Sequence, residues 1–222
     1  MGTQISNPPL LCKLTAVQFN PIEKMADFVG DIQEAFRKLG YTDFKSQDAQ
    51  GIKIDPDKDA LHIHQVHQKR WLFANDKSTE TFVLGHNRLA FMTTDYEDKD
   101  AFVSKTIDGL SIINGVVGLD FVDRVGVRTV DVILPSEKKE PKDYLNGELN
   151  CFQIPEEAEM IQKITESVFS VGGGVLVCRA LQSKEGITLP SGMILEPLAA
   201  ADKFTSYKGP TGTLDLDHYV DQ

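Results

Sequence analysis

The chain has 222 residues, enough for one good core or two small ones, and its 41% hydrophobic and 25% charged content is that of an ordinary globular protein. A net charge of −10 argues against a general nucleic-acid binder, because neutralising phosphates needs an excess of Lys and Arg, although a local basic patch remains compatible with it. No apolar run approaches transmembrane length, and no signal-peptide pattern is visible.

Met1-Gly2-Thr3-Gln4-Ile5-Ser6 fits the N-myristoylation pattern, but no polybasic segment follows to supply a second membrane signal. Asn7-Pro8-Pro9 is an extended lead-in to a first strand, Leu10 to Phe19. Pro21 sits where a helix begins. Met25, Phe28, Val29, Ile32, Phe36 and Leu39 form an apolar stripe that Gly40 ends, which is the pattern of a helix packed on a sheet. Residues 41–60 are polar and weakly patterned. Asp55-Pro56-Asp57-Lys58-Asp59 begins like a calcium loop. Its sixth and twelfth positions hold Ala60 and Val66 instead of Gly and Glu, so it is read as a turn.

Leu61 to His67 carries the one histidine cluster. On a strand, His62 and His64 share a face, a good spacing for two metal ligands, while His67 points the other way. A third ligand has to come from elsewhere, and His218 or Asp217 qualify by type alone. The alternative is an exposed strand face that happens to carry histidines. The strand continues to Phe73, with Trp71 in or near the core. Phe82, Leu84, Leu89 and Phe91 flank Gly85-His86-Asn87-Arg88, a hairpin signal. Asp95 is a candidate helix N-cap, with Asp98 three residues on. Val103, Ile107, Leu110, Ile113 and Val117 then recur at helical spacing up to Gly118.

From Phe121 to Ile133 the chain alternates. Phe121, Val125, Val127 and Ile133 point one way; Arg124, Gly126 and Arg128 point the other. Two arginines separated by a glycine make an open cationic strip that can hold a carboxylate or phosphate bidentately. Arg124, Arg128 and Asp131 are therefore the candidate ligand-binding residues. The competing reading pairs the arginines with Asp123, Asp131 or other acidic neighbours on a solvated face.

Asn7-Pro8-Pro9-Leu10 before a strand, Trp71 before the FVLGHNRLAFM hairpin, and RVGVRTVDVI together resemble a sporadically distributed bacterial family of uncharacterised proteins. Arg124, Gly126 and Arg128 match its R-x-G-x-R strand, while Thr129 and Asp131 replace the aromatic and the Asn usual there. The likeness covers roughly the first two thirds of the chain and returns at Thr213–Tyr219. It implies a prokaryotic, soluble protein and carries no established activity. Family members usually continue past the segment matching Leu214–Asp217, which implies a short member or a truncation.

Pro135 to Asn146 is a charged, Pro-containing linker that divides an N-terminal α+β unit, 1–140, from a C-terminal unit, 141–222, that can continue the same sheet. Pro155 opens a helix over Glu156–Phe169 with Met160, Ile161, Ile164 and Val168 as its stripe. Gly172-Gly173-Gly174 follows it as a flexible turn before a strand, Val175–Leu181. Phosphate-cradling loops run from strand to helix, so this is not a nucleotide loop. Ile187–Leu195 reads as a further strand and 199–212 as loop. Thr213 to Tyr219 alternates and puts Asp215 and Asp217 on one face, as a carboxylate pair for acid–base or metal work or as an edge strand whose charges discourage aggregation. Cys12, Cys151 and Cys178 form no CxxC and read as reduced thiols of a cytoplasmic protein.

The expected fold is α+β: a curved antiparallel sheet with helices packed on one face. The expected function is a non-enzymatic interaction module that binds a protein partner, a second copy or an acidic ligand through the open sheet face around Arg124 and Arg128, with no cofactor and no membrane association. The alternative is a metal-dependent hydrolase built on His62, His64, Asp215 and Asp217.

Overall fold

The computed structural model describes residues 7–56, 61–136, 138–147 and 159–222, with backbone alone for 49–56 and 61–68. Its strands are β1 (Leu10–Phe19), β2 (Asp43–Pro56), β3 (Leu61–Ala74), β4 (Glu80–Leu84), β5 (Arg88–Thr93), β6 (Val122–Ile133), β7 (Gln162–Val171), β8 (Gly174–Ser183) and β9 (Thr211–Asp221). The helices are α1 (Met25–Lys38), α2 (Lys99–Val117) and the single turn α3 (Asp202–Thr205). All nine strands form one antiparallel sheet in the order β2-β3-β4-β5-β1-β6-β9-β8-β7. Strand β1 lies at the middle. It pairs with β5 on one side and β6 on the other, so the strands before and after residue 140 share one sheet.

Helices α1 and α2 lie on the first half of one sheet face. Met25, Val29, Ile32 and Phe36 of α1 and Phe102 and Ile113 of α2 are buried with Phe19, Trp71, Phe73, Phe82, Leu84, Leu89 and Phe91. The rings interlock: Phe36 stacks on Phe73 at 4.6 Å, and Phe82 lies 4.7 Å from Phe36 and 4.8 Å from Phe91. Gly109 lets α2 approach this closely, since a Cβ there would sit 2.2 Å from Cε1 of Phe82. The helix starts later than the Asp95 reading, because the Asp98 carboxylate accepts from the Ala101 N–H at 2.8 Å and is the N-cap.

A second cluster fills the opposite face near the sheet's middle. Leu11, Cys12, Val130, Val132 and Phe204 are buried there beneath Ile187, Leu189, Met193 and Leu195. Ile187–Leu195 is therefore not a strand. Gly186 and Gly192 hold φ of 70° and 75°, and Pro190 interrupts any ladder. The segment is tied to β9 by side chains: Thr211 Oγ1 donates to the Gly186 carbonyl and Thr213 Oγ1 to the Thr188 carbonyl.

Two further expectations change. The weakly patterned residues before Pro56 form β2, paired along its whole length with β3. The helix expected over Glu156–Phe169 is a strand from Gln162 on, and residues 156–158 lie outside the described residues. Ile164 and Val168 fit a helical stripe, but Ile164, Glu166, Val168 and Ser170 also alternate with Thr165, Ser167 and Phe169. The turn decides. Gly172 and Gly173 both take positive φ, 60° and 80°, which is the two-residue hairpin geometry, and Val171 pairs with Gly174.

Candidate functional site

The arginine strip of β6 faces away from α1 and α2. On that face β9 returns with its own acids, Arg128 opposite Asp217 and Val130 opposite Asp215. Arg128 reaches diagonally and grips Asp215 with both forks, Nε to Oδ1 and NH2 to Oδ2, each at 2.7 Å. Arg179 of β8 donates to the same carboxylate at 3.0 Å and pairs with Glu166 of β7 at 2.5 Å. Asp215 is 0% exposed. Arg124 pairs with Asp221 and stacks over the Tyr219 ring at 4.3 Å. The strip is thus not an open cationic surface. Its partners are acids from the far end of the chain, not Asp123 or Asp131.

Asp131 lies on the other face, one alternation away from the arginines. Burial pushes its carboxyl above the usual range, and the Lys13 charge partly offsets this. Arg124, Arg128 and Asp131 therefore do not converge. Burial likewise raises the carboxyl of Asp217, which Arg128 beside it opposes.

The His62, His64, Asp215 and Asp217 set does not assemble. His62 and His64 sit on β3, opposite Asp55 and Lys53 of β2, and their side chains lie outside the described residues. Four strands separate β3 from β9, which is about 24 Å at ~4.8 Å per strand, against metal–ligand distances of ~2 Å. Asp215 is in any case held by two guanidinium groups. Among the described residues no group of three or more His, Cys, Asp or Glu can hold a metal ion.

The structure instead exposes an apolar area on the helix-bearing face. The helices stop at β1, where Val17 and Thr15 are 4% and 3% exposed. Their registered partners on β6, Val125 and Val127, are each 39% exposed. The same face continues over β9 and β7 with Leu216, Val220, Phe169 and Val171, all exposed. Cys178 of β8, opposite Leu216 and Ser167, lies among them. Its β7, β8 and β9 positions carry no carboxylate, and on β6 acids occur only at the ends, Asp123 and Asp131. On β6 and β9 the alternation of the sequence marks these positions as the apolar side of the strand; which of them lack a cover depends on where the helices end.

No helix among the described residues is long and apolar enough to cross a membrane. No protein-family model matches the chain, and comparison with curated proteins gives no match.

Proposed function

We propose that the protein is a non-enzymatic interaction module whose uncovered half-face of the sheet docks against a second copy of the chain. The observation that carries this is the abrupt loss of cover between β1 and β6, which leaves Val125, Val127, Leu216, Val220, Phe169 and Val171 in water on one continuous face. Contiguous exposed apolar area of this kind marks interaction surfaces. Charge favours a second copy as occupant. A chain of net −10 repels itself, and this face of β7 to β9 is free of acids, so two copies can approach there with the least repulsion. A two-fold axis lets one patch serve both partners.

This reading takes the fold as α+β, a curved sheet with helices on one face. It takes a prokaryotic cytoplasm as the compartment, in keeping with the free thiols of Cys12 and Cys178. Kinship with the sporadically distributed bacterial family rests on Trp71, the Gly85–Arg88 hairpin and Arg124-x-Gly126-x-Arg128. Light scattering coupled to size exclusion tests the reading. The wild type is expected at twice the chain mass, and Leu216→Asp and Val127→Asp at the chain mass with an unchanged circular dichroism spectrum. A wild type that runs as a monomer at all concentrations, or aspartate variants that stay dimeric, would refute it.

A further inference from the structure

A second pair of arginines lies on the face opposite α1 and α2, at the other half of the sheet. Trp71, Leu84, Leu89 and Phe19 are buried beneath the helices. Their neighbours Arg70, Gly85, Arg88 and Gln18 therefore project from the opposite face. Arg70 on β3 and Arg88 on β5 flank the position of Gly85, whose missing side chain leaves the floor between them open. These residues, with Lys69, His86 and Asn87, line a cleft of about 230 Å³.

The turn that carries His86 and Asn87 is fixed by its backbone. Gly85 N–H donates to the Arg88 carbonyl at 2.8 Å, and the His86 and Asn87 carbonyls accept from Ile22 and Phe19 at 2.8 and 3.0 Å. Its side chains are thus presented from an anchored loop. Among the described residues neither Arg70 nor Arg88 has an acidic partner. Arg88 is reached by water yet crowded within the concave site. That crowding, and then the like charge of Arg70, lowers its guanidinium from the ordinary value. Two like charges held together without a counter-ion, in a chain of net −10, form a site that an anion completes.

We propose that this cleft binds the phosphate group of a small phosphomonoester, with Arg70 and Arg88 as the two forks. One guanidinium satisfies both oxygens of a carboxylate, whereas two forks with Gln18, His86 and Asn87 around them suit the three terminal oxygens of a phosphate. The volume admits a phosphate and a small organic group, and is below that of sites for drug-sized ligands.

Calorimetric titration of the whole chain with phenyl phosphate, inorganic phosphate and acetate tests this. Saturable binding of phenyl phosphate is expected, with acetate weaker. Arg70→Gln and Arg88→Gln are each expected to weaken it about tenfold, and Arg88→Lys to weaken it as well by losing the fork. Both glutamine variants should melt at the wild-type temperature; if Arg70→Gln does not fold, the Arg88 pair carries the test. No saturable binding by the wild type, or unchanged binding by Arg88→Gln, overturns the site. Acetate binding as tightly as the ester, or inorganic phosphate binding while the ester is rejected, overturns the phosphomonoester assignment.

Discussion

Strand β1 has β5 and the two helices on one side of it and β6 on the other, and the same face changes character as it crosses from β1 to β6. On the first side Phe36, Phe73, Phe82 and Phe91 pack as a dry aromatic cluster under α1 and α2. On the second side Val125, Val127, Leu216 and Phe169 meet solvent. The first half is held together by burial through its helices. The second half, lacking that layer, is tied across four strands on its reverse face by the chain Arg128–Asp215–Arg179–Glu166. The apolar side of a sheet is thus core where helices cover it and solvent-exposed where they do not.

The largest expected effects break one half at its anchor. Phe36→Ala should cost about 3–5 kcal/mol, the range for deleting a buried ring, read as a fall in the urea midpoint. Asp215→Ala should cost a similar ~3–5 kcal/mol, because it leaves Arg128 and Arg179 without the carboxylate they share. Phe169→Ala, an equal truncation on the uncovered half, should change the stability of the isolated chain by less than about 0.5 kcal/mol. A Phe169 variant that destabilises as much as the Phe36 one would erase the distinction between the halves.

Gly109→Ala comes next. Its Cβ would press into the Phe82 ring, so α2 has to lift, at a cost of about 1–3 kcal/mol by thermal melting. The smallest effect is electrostatic. Burial raises the Asp131 carboxyl, so the folded state holds its proton to higher pH than the unfolded chain does. Its contribution is then most favourable below the unfolded carboxylate value and is lost as pH rises through the folded one. Asp131→Asn should stabilise the protein at neutral pH and lose that advantage in acid, as measured by denaturation across the range.

Much of the covered half was legible because its signals are local. The stripe that begins at Met25, the strand Leu10–Phe19 and the hairpin around Gly85–Arg88 each depend on residues close in sequence, and each forms, except that Leu39, the last residue of the stripe, caps the helix and is exposed. What was not legible depends on distant partners. Asp215 lies 87 residues from Arg128, and nothing in the R-x-G-x-R spacing shows that β9 returns beside β6. Ile164 and Val168 satisfy both helical and strand periods, and the Gly172–Gly173 turn decides between them only once β8 is in place. Arg70 and Arg88 sit on separate strands with β4 between them, so their convergence on one cleft is a product of sheet register.

Cys178 reports directly on whether the uncovered half-face docks in the proposed dimer. It lies on that face beside Leu216, while Cys12 is buried beneath the opposite cluster with its thiol pushed up to about 12, chiefly by burial, and so serves as a silent internal control. The rate of Cys178 alkylation, read by peptide mass mapping across a dilution series, should fall as protein concentration rises and should lose that dependence in Leu216→Asp. A Cys178 rate that is the same at every concentration in the wild type would contradict the account.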